Sequence, residues 1–180
     1  AEIKPSGIRK FFDIAATMDD VISLGVGEPD FQTPWQIRKA GINSLERGRT
    51  KYSANRGTIE LRREISKYLN RKYGLSYSPE TEILVTVGGS EAIDGAIRAI
   101  VAPGDEVIIP TPCWVSYPEM VKLNDGVPVL LKSSEEEGFV VSAEKIASAI
   151  TDKTRAVIIN TPSNPTGMIY SEEELRKIAD

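Results

Sequence analysis

Residues 83–100 read ILVTVGGSEAIDGAIRAI. Ile83, Leu84, Val85 and Val87 form a short, largely β-branched run, which predicts a buried strand. Gly88 and Gly89 break it. Ser90 then stands where it can cap a helix whose apolar positions Ile93, Ile97 and Ile100 recur at helical spacing. A strand that turns through glycine into a helix aims the first N–H groups of that helix, and the positive end of its dipole, off the carboxyl edge of the strand. A phosphate is well served there, because glycines let it approach and a serine hydroxyl adds a donor. The same pattern also makes an ordinary tight turn, so the surrounding sequence has to discriminate.

Toward the C-terminus, Pro103-Gly104-Asp105 turns the chain into a second apolar run at 106–110. A third strand is predicted at 127–131 and a fourth at 155–160, with AVIIN at its centre. Between them lie a short helix beginning at Pro118 and ending near 124–126, and a helix over 142–150 capped by Ser142. Ser171 caps a final helix over 172–180. Strands that alternate with helices predict an α/β fold with a mostly parallel sheet, right-handed crossovers and helices on both faces. Ligands of such sheets bind at the carboxyl ends of strands. Three loops leave strands there, at 88–90, 111–117 and 161–167, and together they can surround one crevice. The final helix has its cap but no terminating glycine or proline, and no strand returns after it. The sheet is therefore expected to be incomplete and the chain part of a longer protein.

Toward the N-terminus, residues 6–18 place Ile8, Phe11, Phe12, Ala15 and Met18 on roughly one helical face. The apolar run 21–26 passes through Gly25 and Gly27 into Glu28-Pro29-Asp30, which reads as a turn. Thr33-Pro34 starts a helix that runs to about Gly48, with the threonine as cap and the proline first in the helix. Residues 50–57, TKYSANRG, are a polar loop. Thr58 caps a strong helix with a buried stripe of Leu61, Ile65, Tyr68 and Leu69, and Gly74 ends it.

Composition narrows the chemistry. A length of 180 residues suffices for one sizeable core, and 41% hydrophobic with 27% charged residues is ordinary for a soluble globular protein. A net charge of −4 points away from nucleic acid and anionic membranes. No apolar stretch approaches membrane-spanning length, and no signal-peptide pattern opens the chain. Histidine is absent, which excludes histidine triads, histidine metal sites and histidine acid–base chemistry within this chain. The single cysteine, Cys113, cannot form an internal disulfide and fits a reducing compartment such as the cytoplasm. Chemistry carried out with this inventory calls for a borrowed cofactor.

The loop after the fourth strand reads TPSNPTG at 161–167. NPTG behind a buried strand resembles the signature of the fold-type I pyridoxal-phosphate aminotransferases. Other markers occur in that family's order. GVGEPDF at 25–31 is similar to its glycine-containing substrate loop, and TKY at 50–52 with Gly57 to Arg62 to its inter-subunit tyrosine segment. GGSEA at 88–92 is similar to its phosphate loop, and PCWVSYPEM at 112–120 to the segment whose aromatic covers the ring. The resemblance implies the N-terminal portion of a class I/II, aspartate/aromatic-like enzyme. Residues 1–45 would be an N-terminal segment associated with the small domain and substrate loop, and 46–180 an incomplete cofactor-binding large domain. The protein would be a homodimer acting on an amino acid and a 2-oxo acid.

Pyridoxal phosphate offers three handles: a phosphate, a flat ring and a phenolic oxygen. Gly88, Gly89 and Ser90 suit the phosphate. Glu91 beside them contributes backbone, while its carboxylate would repel phosphate and suits the first turn of a helix. Trp114 offers a face to stack on the ring, although a loop tryptophan also serves plain packing. Asn164 can donate its amide to the phenolic oxygen, although Asn-Pro also makes a turn. By resemblance alone, Tyr52 reaches across the dimer to the partner's phosphate, and Gly27, with Trp114 and Asn164, belongs to the substrate side. The family's Schiff-base lysine, the partner of its pyridine nitrogen and its carboxylate-binding arginine are expected downstream. No catalytic residue is therefore assigned within this chain, and residues 1–180 alone are expected to be inactive. Two alternatives stay open at this stage. One is another fold-type I enzyme, such as a lyase or synthase; the other is a non-catalytic fragment that keeps only the phosphate cradle.

Overall fold

The computed structural model describes residues 3, 7–22, 27 and 29–180, apart from the side chains of residues 8 and 9. By contacts the chain falls into two compact units, one spanning Gly7–Thr86 and the other containing Val87–Asp180.

Among its described residues the first unit holds three helices. α1 (Ile8–Ala15) is shorter than the predicted 6–18. The apolar run and turn expected at 21–30 lie outside the described residues at 23–26 and 28. α2 (Trp35–Glu46) starts one residue later than expected, and Pro34 rather than Thr33 sits at its cap. With ψ at 140°, Pro34 is extended rather than helical, and no side chain closes that end. α3 (Ile59–Tyr73) matches its signals at both ends. The Thr58 hydroxyl accepts from the Leu61 N–H at 3.4 Å, and Gly74 takes the left-handed φ of 69° that ends helices. Its predicted stripe is only half covered: Ile65 and Leu69 are half-buried, whereas Leu61 and Tyr68 are exposed. The buried member of α3 is Arg62, whose guanidinium donates to the carbonyl oxygens of Pro79 at 2.5 Å and Glu80 at 3.3 Å. A cation can sit there because those oxygens replace part of its water.

The run 83–87 does not form a strand. Ile83 is buried, but Leu84 is 63% and Val87 90% exposed. The described hydrogen bonding of this stretch includes one long-range backbone bond, from the Val85 N–H to the Arg56 carbonyl at 3.1 Å. Apolar, β-branched composition makes a segment ready to pair; a strand also needs a neighbour, and here no ladder forms.

The second unit is α/β. Its elements are α4 (Gly88–Ile100), β1 (Glu106–Thr111), α5 (Ser116–Leu123), β2 (Val127–Lys132), α6 (Ala143–Ala147), β3 (Thr154–Val157) and α7 (Glu172–Ala179). The strands form a parallel sheet in the order β2-β1-β3. β1 is central, and Val107, Ile108 and Ile109 are fully buried on its two faces. Val107 and Ile109 join Ile97 of α4 and Tyr117 and Val121 of α5 on one side. Ile108 joins Val141, Ile146 of α6 and Ile178 of α7 on the other. Helices thus cover both faces, as a parallel sheet requires. The cap serines behave as predicted: Ser142 accepts from Lys145 and Ser171 from Glu174. α5 begins two residues before Pro118, which occupies the first turn, where a missing N–H costs nothing. Among the described residues no helix is long and apolar enough to cross a membrane.

Candidate active site

Parallel strands put all their carboxyl ends on one edge, so the loops that follow β1 and β3 leave the sheet side by side. The β3 ladder extends past its last strand residue, with the Ile158 N–H donating to the Ile108 carbonyl at 2.9 Å. Beyond it, Asn160, Ser163, Met168 and Tyr170 line a cavity of about 20 Å³ together with Pro112, Cys113 and Tyr117 of the other loop. That volume holds about one water molecule. The two loops are therefore in close mutual contact.

α4 runs back along this sheet. Its last carbonyl, Ile100, accepts from the Arg155 Nε at 2.8 Å, beside the start of β3. A helix of 13 residues that ends at that edge carries its first turn toward the opposite, carboxyl edge. The helix begins earlier than the sequence signals indicated. Val87 is the N-cap, so Ser90 lies inside the first turn and does not cap it. The cause is Gly88, whose φ of +81° lets the chain enter the helix three residues sooner. A Cβ placed on Gly88 or Gly89 would meet no atom within 4 Å, so the space beside this turn is open. The amides of Gly89 and Ser90 are among those for which an α-helix has no acceptor of its own. The carboxylate of Glu91 folds back to accept from the Val87 N–H.

Trp114 is half-buried. It stands edge-on to Tyr117, with ring centroids 5.3 Å apart at 85°, and packs against the cluster that includes Val107 and Ile109. Burial pushes the Cys113 thiol up, which disfavours its thiolate. Burial also raises the Tyr117 phenol, with Cys113 adding to it. Asn164 is exposed at the tip of the second loop. That loop is closed by the Ser163 N–H to the Met168 carbonyl and the Gly167 N–H to the Ser163 carbonyl, both at 2.8 Å. At its base the Tyr170 N–H donates to the Thr161 hydroxyl at 3.1 Å.

The second unit therefore holds residues 88–91, Trp114 and Asn164. Tyr52 and Gly27 belong to the first unit. Tyr52 is fully exposed, beside Thr50 and Lys51, and Gly27 has open space where a Cβ would stand. Asn160 and Tyr117 were not singled out by the sequence. Asn160 carried a signal all the same: it is the lone polar side chain at the end of an aliphatic run.

Residues 19–180 match the family of class I and II aminotransferases. The YugH protein of Bacillus subtilis (strain 168) is 58% identical over 179 residues, 99% of this chain and 46% of its own length. An aspartate aminotransferase of Bacillus sp. (strain YM-2) is 51% identical over 160 residues, 89% of this chain and 41% of that protein. Among solved structures, the aspartate aminotransferase of Rhizobium meliloti superposes with a TM-score of 0.89 at 43% identity, over 98% of this chain and 45% of that one. The chain spans about half the length of the relatives it matches.

Proposed function

The chain belongs to the class I and II aminotransferases, and on that premise we propose that the whole protein uses pyridoxal phosphate to move an amino group between an amino acid and a 2-oxo acid. The observation that carries this reading is the open first turn of α4, aimed toward the edge where the loops of Trp114 and Asn164 leave the sheet. The donor set fits the cofactor: two helix-start amides and a serine hydroxyl for a phosphate, an aromatic face, and an exposed amide. The Glu91 carboxylate, the one group there that would repel a phosphate, is turned onto the Val87 N–H.

In this reading Gly89 and Ser90 hold the phosphate with N–H groups, the Ser90 hydroxyl and the helix dipole, and Gly88, which has no side chain, gives it room to approach. Glu91 adds its backbone and steadies the turn. Trp114 covers one face of the ring and keeps water from it. Asn164 donates its side-chain N–H to the phenolic oxygen, and Gly27 presents backbone to the substrate carboxylate. When bound, pyridoxal phosphate supplies an electron sink for the charge left at the substrate Cα.

Tyr52 serves the partner's phosphate in a homodimer; its full exposure in a single chain supports that role. Residues 1–45 associate with the small domain and 46–180 with the large domain of the whole protein, in the cytoplasm. Two of the relatives are named aspartate aminotransferases, which makes aspartate the first donor to try.

The test is to incubate the whole protein with pyridoxal phosphate, 2-oxoglutarate and a panel of amino acids that includes aspartate. Glutamate formation is expected. Elimination or ring-closure products without glutamate would replace the reading with a lyase or synthase, and no turnover of any amino acid would overturn it.

A further inference from the structure

Asn164 is exposed at a loop tip, yet its backbone is not loose. Its N–H donates to the side-chain oxygen of Asn160 at 2.8 Å. Asn160 itself is half-buried and sits two residues beyond Ile158, the last residue tied to β1. It also lines the small cavity with Pro112, Cys113 and Tyr117, which flank Trp114. Asn160, just past the end of β3, thus borders the space between the two loops, and its side chain holds the backbone from which the Asn164 amide projects. A contact to a ring atom needs that backbone held to within about 0.5 Å, and an exposed loop tip supplies no such restraint by itself.

We infer that Asn160 is a positioning residue, which sets the Asn164 side chain against the phenolic oxygen by holding the Asn164 N–H. The inference rests on the role proposed for Asn164 above. Its side-chain carbonyl is the working atom. Asn160→Asp keeps an oxygen at that place, whereas Asn160→Leu keeps the approximate shape and loses the acceptor.

The experiment uses the whole protein in four forms: wild type, Asn160→Leu, Asn160→Asp and Asn164→Ala. Amide hydrogen exchange is followed over 160–168 without cofactor, and the pH midpoint of the bound pyridoxal-phosphate absorbance is measured with it. In Asn160→Leu, exchange at Asn164 should quicken about fivefold, the factor that one hydrogen bond supplies. Asn160→Asp should restore slow exchange. The absorbance midpoint of Asn160→Leu should move in the same direction as that of Asn164→Ala. Wild-type exchange in Asn160→Leu, or fast exchange in Asn160→Asp, overturns the inference. A midpoint moved by Asn164→Ala but not by Asn160→Leu removes the role of Asn160 alone. A midpoint unmoved by Asn164→Ala removes the ring contact itself, and this inference with it. Asn160→Ala takes the place of the leucine variant should that chain not fold.

Discussion

The Tyr170 hydroxyl closes both backbone groups of Val141: it donates to the carbonyl at 3.2 Å and accepts from the N–H at 3.3 Å. Val141 is fully buried and Tyr170 nearly so. A tyrosine beyond the Asn164 loop therefore satisfies a segment that has no ladder partner of its own. Tyr170→Phe keeps the ring and leaves two buried polar groups unpaired, at a cost of about 1–3 kcal/mol for each. Urea unfolding of the whole protein should show a lower midpoint with an unchanged slope; an unchanged midpoint would mean that water replaces the hydroxyl.

The same burial gives the protein an alkaline limit. Desolvation raises the Tyr170 phenol; Glu174 raises it further, and the bond to Val141 works the other way. The Cys113 thiol and the Tyr117 phenol are also raised. For groups raised on folding, the stabilisation is complete below their ordinary values and is lost as pH climbs through the folded ones. The melting temperature should hold near pH 8 and fall by about pH 11, more shallowly in Tyr170→Phe. A flat profile across that range contradicts the burial argument.

Ser90 and Glu91 are neighbours with opposite expectations. Ser90→Ala removes one donor and should weaken pyridoxal-phosphate retention about fivefold, the scale of a single hydrogen bond. Glu91→Gln removes charge from the group that accepts the Val87 N–H. It should lower the melting temperature slightly without weakening retention. Equilibrium dialysis with the cofactor decides both, and poorer retention in Glu91→Gln would place that carboxylate in the site.

Tyr52 touches little within its own chain, so Tyr52→Phe should leave the unfolding midpoint unchanged. It should weaken cofactor retention by about 1 kcal/mol, and only in the dimer. Sedimentation as a monomer with wild-type retention removes the inter-subunit role.

Local grammar was legible from the residues: Thr58, Ser142 and Ser171 cap the helices they precede, Gly74 ends one, and β1 and β2 reach one residue beyond their predicted ends. Partnership was not. Residues 83–87 have the composition of a strand, but composition records what a segment can bury and not what lies beside it. Ser90 looked like a cap because serine favours that place, whereas a backbone angle open to glycine moved the helix start to Gly88. Within the candidate site, Ser90, Trp114 and Asn164 are proposed from their residue types and from the resemblance to the family. The hold of Asn160 on Asn164 was hidden, because it depends on a loop folding back over four residues.

The two-sided burial of β1 has a consequence for slippage. Val107, Ile108 and Ile109 are all branched aliphatics, so a shift of one residue that brings Pro110 to the place of Ile109 buries no polar group, whereas the opposite shift carries Glu106 into the buried place of Val107. Polarity, which guards the alignment of most strands, is silent in the middle of this one. The alignment is kept from the ends. At one, the Val127 N–H donates to the Asp105 carbonyl and the Glu106 N–H to the Lys153 carbonyl, both at 2.8 Å. At the other, the Thr111 hydroxyl donates to the Leu131 carbonyl at 3.2 Å and the Ser133 hydroxyl to the Thr111 carbonyl at 2.7 Å. The irregularity in β3 between Thr154 and Ala156, where Arg155 reaches out to Ile100, adds a notch that fits one setting. The central strand is thus indexed like a key, by its bow and its tip, while its shank is smooth.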